Sequence, residues 1–190
     1  MVIPKFQVSE SEKTRLCPTS LFLVGFMGAG KTTVGRVLAC RLGWNFIDLD
    51  DRIEAAEGRR VADIFAAGGE PAFRVAEAQA LTRVIVELQQ GLEAVVALGG
   101  GAFAQPRNTE AIRATRVPVI FLDAPAQELH QRCAPAGASR PLFQDRDAFF
   151  RLYRARKSSY LQADFRVDTA GKSVPEVAAE VLALLGVSGS

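Results

Sequence analysis

The segment that most constrains this chain is residues 25–32, GFMGAGKT, which matches the pattern GxxxxGK[ST] without a mismatch. A compact apolar run precedes it, and apolar residues at helical spacing follow it, so it lies between a predicted strand and a predicted helix. Glycines there let successive backbone N–H groups converge on phosphate oxygens, and the helix N-terminus favours the same anion. The motif therefore predicts a nucleoside triphosphate site made by Gly28, Ala29, Gly30, Lys31, Thr32 and Thr33.

Beyond this motif, short apolar runs alternate with helical patterns, which is typical of an α/β fold with a parallel sheet. We predict a three-layer P-loop NTPase-type domain with a five-stranded, mostly parallel sheet. The last helix should open at Ser173, since Ser173 and Glu176 form a capping-box pair. The predicted strands are residues 21–25, 46–47 leading into 48–50, 95–98, 117–122 and 165–167.

A chain of 190 residues has room for one domain. We assign residues 1–19 to a flexible N-terminal tail and residues 20–190 to a single domain. Two segments interrupt the alternation of strands and helices. Residues 51–91 contain more helical pattern than a crossover needs, and residues 134–147 are rich in Pro, Gly, Ala and Asp. We interpret the first as a helical substrate-binding lobe and the second as a lid.

Composition excludes several other classes of protein. The net charge is only +2, with no run of like charges, so nucleic acid is not an expected partner. No apolar run reaches ~18 residues, and the first twenty residues lack the apolar core of a signal peptide, so we expect no membrane partner and a cytoplasmic location. The three cysteines are widely spaced and there is one histidine, which argues against a disulfide framework, a zinc site or a His-dependent triad.

Acidic residues at the end of the second predicted strand are candidates for the phosphoryl-transfer site. Alternation along a strand would put Asp48 and Asp50 on one side, at the sheet edge where doubly wound folds bind ligands. One carboxylate could support Mg²⁺ while the other accepts a hydrogen bond from an acceptor hydroxyl; alternatively these acids and Asp51 only cap the following helix. A competing metal-linked acid is Asp123, after the apolar run 119–122.

Two arginines lie on otherwise apolar helical stripes and are candidates for binding a carboxylate. Arg74 shares its stripe with Leu81 and Ile85, and Arg156 shares one with Tyr153 and Tyr160. A guanidinium that points inward is costly without an anion, and Arg binds carboxylates through two parallel hydrogen bonds. The alternative for each arginine is an internal salt bridge or a side chain that reaches solvent. The turn 99–101, GGG, permits close approach of backbone to a ligand, or is simply a tight loop.

The chain is short, and it has neither the NKxD motif of G proteins nor an LSGGQ-like signature, which favours a small-molecule kinase. From residue 21 to near its end it resembles the shikimate kinase family. The motifs that carry this resemblance are GFMGAGKTTVGR (25–36), FIDLD (46–50), ADIF (62–65), GGEPAFR (68–74), GGG (99–101), RPL (140–142) and R-x-x-x-Y (156–160). The family often has Pro within the last motif, where this chain has Lys-Ser-Ser, so we expect that helix to continue unkinked.

The resemblance implies a reaction and a set of residue roles. The γ-phosphoryl group of ATP would pass to the 3-hydroxyl of shikimate, with Mg²⁺ as cofactor, in a monomeric enzyme. By the same resemblance, Lys31, Asp50 and Arg140 would be catalytic, Arg140 closing over the ATP phosphates from the lid, and Thr32 and Asp48 would support the metal. Asp50, Phe65, Phe73, Arg74, Gly99, Gly100, Gly101 and Arg156 would bind shikimate, and Arg132 matches an arginine that stacks on adenine. The alternatives are a kinase for another polyol acid, such as gluconate, and a non-catalytic nucleotide-binding module.

Overall fold

The computed structural model describes residues 18–133 and 145–187. Over these residues the chain alternates strands and helices around one five-stranded sheet, with the strand order β2-β3-β1-β4-β5 and every neighbouring pair parallel. The elements are β1 Ser20–Val24, α1 Lys31–Leu42, β2 Asn45–Asp48, α2 Leu49–Glu57, α3 Val61–Gln89, β3 Ala94–Ala97, a 3-10 turn Ala102–Ala104, α4 Pro106–Thr115, β4 Val119–Asp123, α5 Ala126–Cys133, α6 Arg146–Tyr160, β5 Phe165–Asp168 and α7 Val174–Leu185.

The centre of the sheet is buried on both faces, which is why its strands are continuous apolar runs rather than alternating ones. Every residue of β1, β3 and β4 is buried. Helix α1 packs against α7 and β3, while α4 packs against α3, and α6 meets the 3-10 turn. The predicted α/β fold with a parallel sheet is confirmed, and each predicted strand overlaps an observed one.

Local signals in the sequence account for several element ends. Helix α1 ends at Gly43, which adopts the left-handed conformation that favours glycine. Helix α7 begins at the predicted capping box, in which the Glu176 carboxylate accepts hydrogen bonds from the Ser173 backbone N–H and hydroxyl. Helix α6 continues without a kink to Tyr160, as the absence of Pro from residues 157–159 predicted.

Helices α2 and α3 occupy the segment 51–91 that we interpreted as a substrate-binding lobe. Helix α3 is broken at Gly69, whose φ of 67° and ψ of −168° are not helical, and Pro71 follows two residues later. This break separates the short arm that carries Phe65 from the long arm that carries Phe73 and Arg74, so the two arms can face one another.

Parts of the predicted tail and lid lie outside the described residues. These parts are residues 1–17 of the tail and 134–144 of the lid, which include Arg140 and the RPL motif. The last residues of the predicted lid, 145–147, form the start of α6, where the Asp145 carboxylate caps the helix by accepting from the Ala148 N–H. None of the described helices is long and apolar enough to cross a bilayer.

Candidate active site

The glycine-rich turn connects β1 to α1, as its sequence context predicted. Gly28 has a φ of 81°, and a Cβ built on it would lie 2.7 Å from the Leu129 carbonyl oxygen, so only glycine fits there. The Lys31 ammonium folds back over the turn and donates to the carbonyls of Gly25 at 2.8 Å and Phe26 at 3.2 Å. The turn and its lysine therefore form one preorganised cationic surface at the N-terminus of α1.

Asp48 connects the glycine-rich turn to the second strand. Its Oδ2 accepts a hydrogen bond from the Thr32 hydroxyl at 2.9 Å, and its Oδ1 accepts from the Asp50 N–H at 3.1 Å, which caps α2. Our placement of Asp50 by strand alternation was wrong, because β2 ends at Asp48 and Asp50 lies in the first turn of α2. The two carboxylates nevertheless lie close enough for Asp48 to affect the charge state of Asp50.

The environment of Asp50 favours its protonated form more than water does. Burial raises the pKa of this carboxyl above its usual value, and the neighbouring charge of Asp48 adds to the rise, while Lys31 opposes it. Asp50 still has solvent-exposed surface, as does Asp51, the next residue on α2, and the two acids are about 100° apart around the helix.

The glycine turn after β3 is surrounded by the charged side chains singled out from the sequence. A Cβ built on Gly99 would lie 2.7 Å from Asp50 Oδ1, and one on Gly101 would lie 2.6 Å from Arg74 Nη2. Between them, a Cβ on Gly100 would lie 3.5 Å from Arg156 Nη1. Residues from α2, α3 and α6 thus converge on three consecutive residues at the carboxyl edge of the sheet, and the turn has no room for side chains at its ends.

Arg74 is held by two carboxylates of its own helix. Glu77, whose side chain is 1% exposed, accepts from Arg74 Nη1 at 2.9 and 3.0 Å, and the exposed Glu70 accepts from Nη2 at 2.8 Å. Burial raises the pKa of Glu77, although the charge and hydrogen bonds of Arg74 offset part of that rise. The salt bridge that the sequence left as an alternative for Arg74 is therefore present, and it fixes the guanidinium beside Gly101.

Sequence reasoning missed Glu77. It lies three residues after Arg74 on the helix, a spacing at which opposite charges meet, and this was the one available signal. Because acidic residues are rarely fully buried without a partner, its near-complete burial marks it as part of the site rather than of the surface.

Arg156 and Tyr160 bring helix α6 to the glycine turn. The Tyr160 hydroxyl donates to the Gly100 carbonyl oxygen in a short hydrogen bond, and its ring lies against Phe121 of β4. Burial raises the pKa of Tyr160 to about 12, even though the Arg156 guanidinium acts in the opposite direction. The predicted stripe of α6 is observed, since Phe149, Tyr153 and Tyr160 are buried while Arg151 and Arg154 are exposed.

Phe65 and Phe73 stack on each other across the break in α3, with ring centroids 4.5 Å apart and planes inclined by 27°. The Arg74 guanidinium carbon lies 5.3 Å from the centroid of the Phe73 ring. Phe73 is buried and Phe65 remains 39% exposed, so the pair forms an apolar wall beside the arginine that is partly open to solvent.

Two other predicted roles fit the described residues less well. Asp123, the competing metal-linked acid, is bound by Arg166 at 2.7 Å and lies 3.8 Å from Lys157, so its charge is compensated by protein cations. Arg132, matched to an adenine-stacking arginine, donates to the hydroxyl and the carbonyl of Thr169 at 3.0 and 2.6 Å, and to Glu128 at 2.6 Å. Within residues 18–133 and 145–187, no group of three or more His, Cys, Asp or Glu residues is placed to hold a metal ion by itself.

The parallel sheet with a glycine-rich turn between β1 and α1, and an acid and two arginines at the next glycine turn, is the arrangement of a P-loop kinase. The family model "Shikimate kinase" matches residues 27–186. The shikimate kinase of Symbiobacterium thermophilum is 43% identical over 175 residues, which cover 90% of this chain and 98% of the relative. A solved structure, "Shikimate kinase from Acinetobacter baumannii in complex with shikimate", has a TM-score of 0.78 and 34% identity, and covers 91% of this chain and 96% of its own.

The chain belongs to the shikimate kinase family. It is an ATP-dependent kinase that transfers the γ-phosphoryl group of ATP to the 3-hydroxyl of shikimate, giving shikimate 3-phosphate and ADP. A gluconokinase from Sinorhizobium meliloti shares 18% identity at a TM-score of 0.60, covering 90% of this chain and 94% of its own, which is a likeness of fold alone. The gluconate and non-catalytic alternatives are thus not supported.

Proposed function

We propose that the three consecutive glycines 99–101 mark the position of the shikimate ring, with one functional side chain set beside each glycine. Asp50 lies at Gly99, Arg156 at Gly100 and Arg74 at Gly101. This convergence is the observation that carries the assignment, because a turn without side chains leaves space for a ring between one carboxylate and two guanidinium groups. The acid would face the reacting hydroxyl and the arginines would bind the substrate carboxylate.

On the nucleotide side, the backbone N–H groups of residues 28–33 would bind the phosphates, and Lys31 would neutralise charge on the outer two. The lysine would exchange its present carbonyl acceptors for phosphate oxygens, which are stronger partners because they are charged. The resemblance to the family adds a positive charge from Arg140, which lies outside the described residues.

Thr32 and Asp48 fit a Mg²⁺ site completed by substrate oxygens. Their side-chain oxygens are 2.9 Å apart at the start of α1, and both are hard donors of the kind Mg²⁺ prefers. Mg²⁺ usually takes one or two protein oxygens and completes its shell with phosphates and water. When held by Thr32 and Asp48, the ion would neutralise negative charge that develops on the phosphate oxygens during transfer.

Asp50 would orient the 3-hydroxyl and accept its proton. Phosphoryl transfer needs positioning and proton removal more than covalent help, so Asp50 would both hold the acceptor oxygen in line with the γ-phosphorus and take the proton that this oxygen loses. The raised pKa of Asp50 suits a group that takes a proton late in the reaction and then returns it to water. A monomeric state and a cytoplasmic location remain predictions from the sequence.

The assignment of the acceptor side can be tested with substrates that differ in one group. ADP release is measured with Mg·ATP and shikimate, shikimate methyl ester, gluconate or no acceptor. We expect rapid release with shikimate, and a KM about 100-fold higher for the ester, since two charge-assisted contacts are lost. Equal KM values for the acid and the ester would remove Arg74 and Arg156 from carboxylate binding, and faster release with gluconate would overturn the placement of the ring.

Gly101→Ala should impair shikimate binding without affecting ATP. The added methyl would lie 2.6–2.7 Å from two nitrogens of Arg74, closer than any real contact, so the guanidinium must move. Since displacement of a binding group by about 1 Å can cost up to ~100-fold, we expect a 10- to 100-fold higher shikimate KM with the KM for ATP nearly unchanged. Gly101 has a φ of −111°, which any residue adopts, so the effect would come from contact with Arg74 and not from backbone strain.

A further inference from the structure

The buried carboxylate of Asp123 is not used by the chemistry described above. It lies at the carboxyl end of β4, with its side chain 4% exposed. Its Oδ2 binds Arg166 at 2.7 Å and lies 3.8 Å from the Lys157 ammonium, and its Oδ1 lies 3.4 Å from the Tyr153 hydroxyl. We call Asp123, Tyr153, Lys157 and Arg166 the Asp123 cluster.

The Asp123 cluster joins the sheet to the helix that carries Arg156. Tyr153 and Lys157 belong to α6, and they are themselves linked, since Lys157 donates to the Tyr153 hydroxyl at 3.0 Å. The same hydroxyl lies 3.2 Å from the Ala124 carbonyl oxygen, a second acceptor at the end of β4. The remaining member, Arg166, lies on β5 and is 58% exposed.

Arg156 lies between two points at which α6 is fixed. Three residues before it, Tyr153 contacts Asp123, and four residues after it, Tyr160 is bound to the Gly100 carbonyl. The two tyrosines are separated by about two helical turns, or roughly 10 Å of rise. A one-residue shift or rotation of α6 would turn Arg156 by about 100° away from Gly100, and it would break both attachments.

The cost of such a shift is set by the burial of Asp123. A buried carboxylate that loses part of its compensation is strongly destabilised, whereas an exposed pair costs little to break. Tyr153 and Lys157 therefore hold α6 more firmly than hydrophobic packing alone, which tolerates small slides.

We propose that Asp123 is a positioning residue for shikimate binding: through Tyr153 and Lys157 it fixes helix α6 so that Arg156 faces Gly100. This inference rests on the proposed role of Arg156 in binding the substrate carboxylate. Asp123, which the sequence offered as an alternative metal-linked acid, would therefore act on shikimate binding and not on the metal.

The test uses Lys157→Met, which removes the α6 cation that lies beside Asp123 but keeps a long side chain at a partly exposed position. We expect the shikimate KM to rise about 5- to 10-fold, with kcat and the KM for ATP changed by less than about 2-fold. Lys157→Arg should restore most of the loss, since it keeps the charge beside Asp123. Arg154→Met is the matched control, because it removes an exposed cation from the same helix that has no contact with Asp123.

Asp123→Asn provides a second, independent arm. It should raise the shikimate KM in the same way and leave the Mg²⁺ concentration for half-maximal rate unchanged. The double variant Asp123→Asn/Lys157→Met should have a shikimate KM close to that of Asp123→Asn alone, because both changes remove the same interaction between Asp123 and Lys157. An increased Mg²⁺ requirement in Asp123→Asn would instead assign this carboxylate to the metal and overturn the proposal.

Arg156→Met, measured in the same assay, separates the inference from the function on which it rests. If Arg156→Met leaves the shikimate KM unchanged, the proposed role of Arg156 fails. If Arg156→Met raises the KM but Lys157→Met only lowers the melting temperature, then the Asp123 cluster is merely structural and the inference alone is wrong. Should Asp123→Asn fail to fold, the comparison of Lys157→Met, Lys157→Arg and Arg154→Met still decides between these outcomes.

Discussion

Asp50→Asn should lower kcat by about 100- to 10,000-fold, the range typical for loss of a general base. The amide is nearly the same size and can still accept a hydrogen bond from the 3-hydroxyl, but it takes no proton. The shikimate KM should therefore change little, because Arg74 and Arg156 keep the substrate carboxylate. Steady-state kinetics with shikimate and ATP each varied would measure kcat and both KM values. A raised shikimate KM with an unchanged kcat would show that Asp50 only binds the ring.

The same substitution should stabilise the folded protein near neutral pH. The pKa of Asp50 is raised in the folded state by burial and by Asp48, so the ionised form costs folding free energy above that pKa. Below the ordinary pKa of an aspartate, about 3.9, the carboxyl is neutral in both states and this cost vanishes. Because Asp50 is partly exposed to solvent, screening reduces this cost, so Asp50→Asn should raise the melting temperature at pH 7.5 only slightly, with a difference that shrinks as the pH falls.

Asp51→Asn is the matched control for both effects. Asp51 occupies the same first helical turn of α2, about 100° around the helix from Asp50, whose carboxylate lies against Gly99. Its substitution should leave kcat unchanged and slightly destabilise the protein, since an acid is favourable near a helix N-terminus. A rise in melting temperature equal to that of Asp50→Asn would contradict the explanation by burial.

The sequence alone predicted the fold well because its signals are local. An apolar run, a glycine turn and a helical pattern of apolar residues define the path from β1 to α1. The apolar character of the runs at β3 and β4 predicted a sheet buried on both faces. The prediction failed at Asp50, since alternation was extended beyond Asp48 although α2 begins at Leu49. Strand and helix place successive acids differently, and no local signal marked the boundary between them.

The site was less predictable because its members come from separate elements. Asp50, Arg74 and Arg156 were chosen as functional residues, but their convergence on three consecutive glycines depends on how α2, α3 and α6 pack. Glu77 was missed since its spacing from Arg74 is equally common for exposed pairs, and only its burial distinguishes it. Likewise the partners of Asp123 are 30 or more residues away in the chain, so the sequence could not separate a salt-bridged acid from a metal-linked one.

Arg74→Ala should raise the shikimate KM by about 100-fold and also destabilise the protein. The loss of affinity follows from removing one of two charged partners of the substrate carboxylate, since truncating one side of a buried charge pair typically costs 2–5 kcal/mol. The loss of stability has a different origin. Without Arg74, the Glu77 carboxylate stays buried with less compensation, which typically costs about 3–5 kcal/mol when a buried pair is broken.

These two losses can be separated by removing both charges. Arg74→Met/Glu77→Met should recover most of the free energy of unfolding, because two well-packed apolar side chains replace a buried ion pair, yet its shikimate KM should stay high. Glu70→Ala is the control, since it removes only the exposed partner of Arg74 and should cost less than about 1 kcal/mol. Urea denaturation and steady-state kinetics on the same preparations give both quantities. If the double variant also recovers shikimate affinity, Arg74 acts only by compensating Glu77, and the substrate carboxylate must be bound by Arg156 without it.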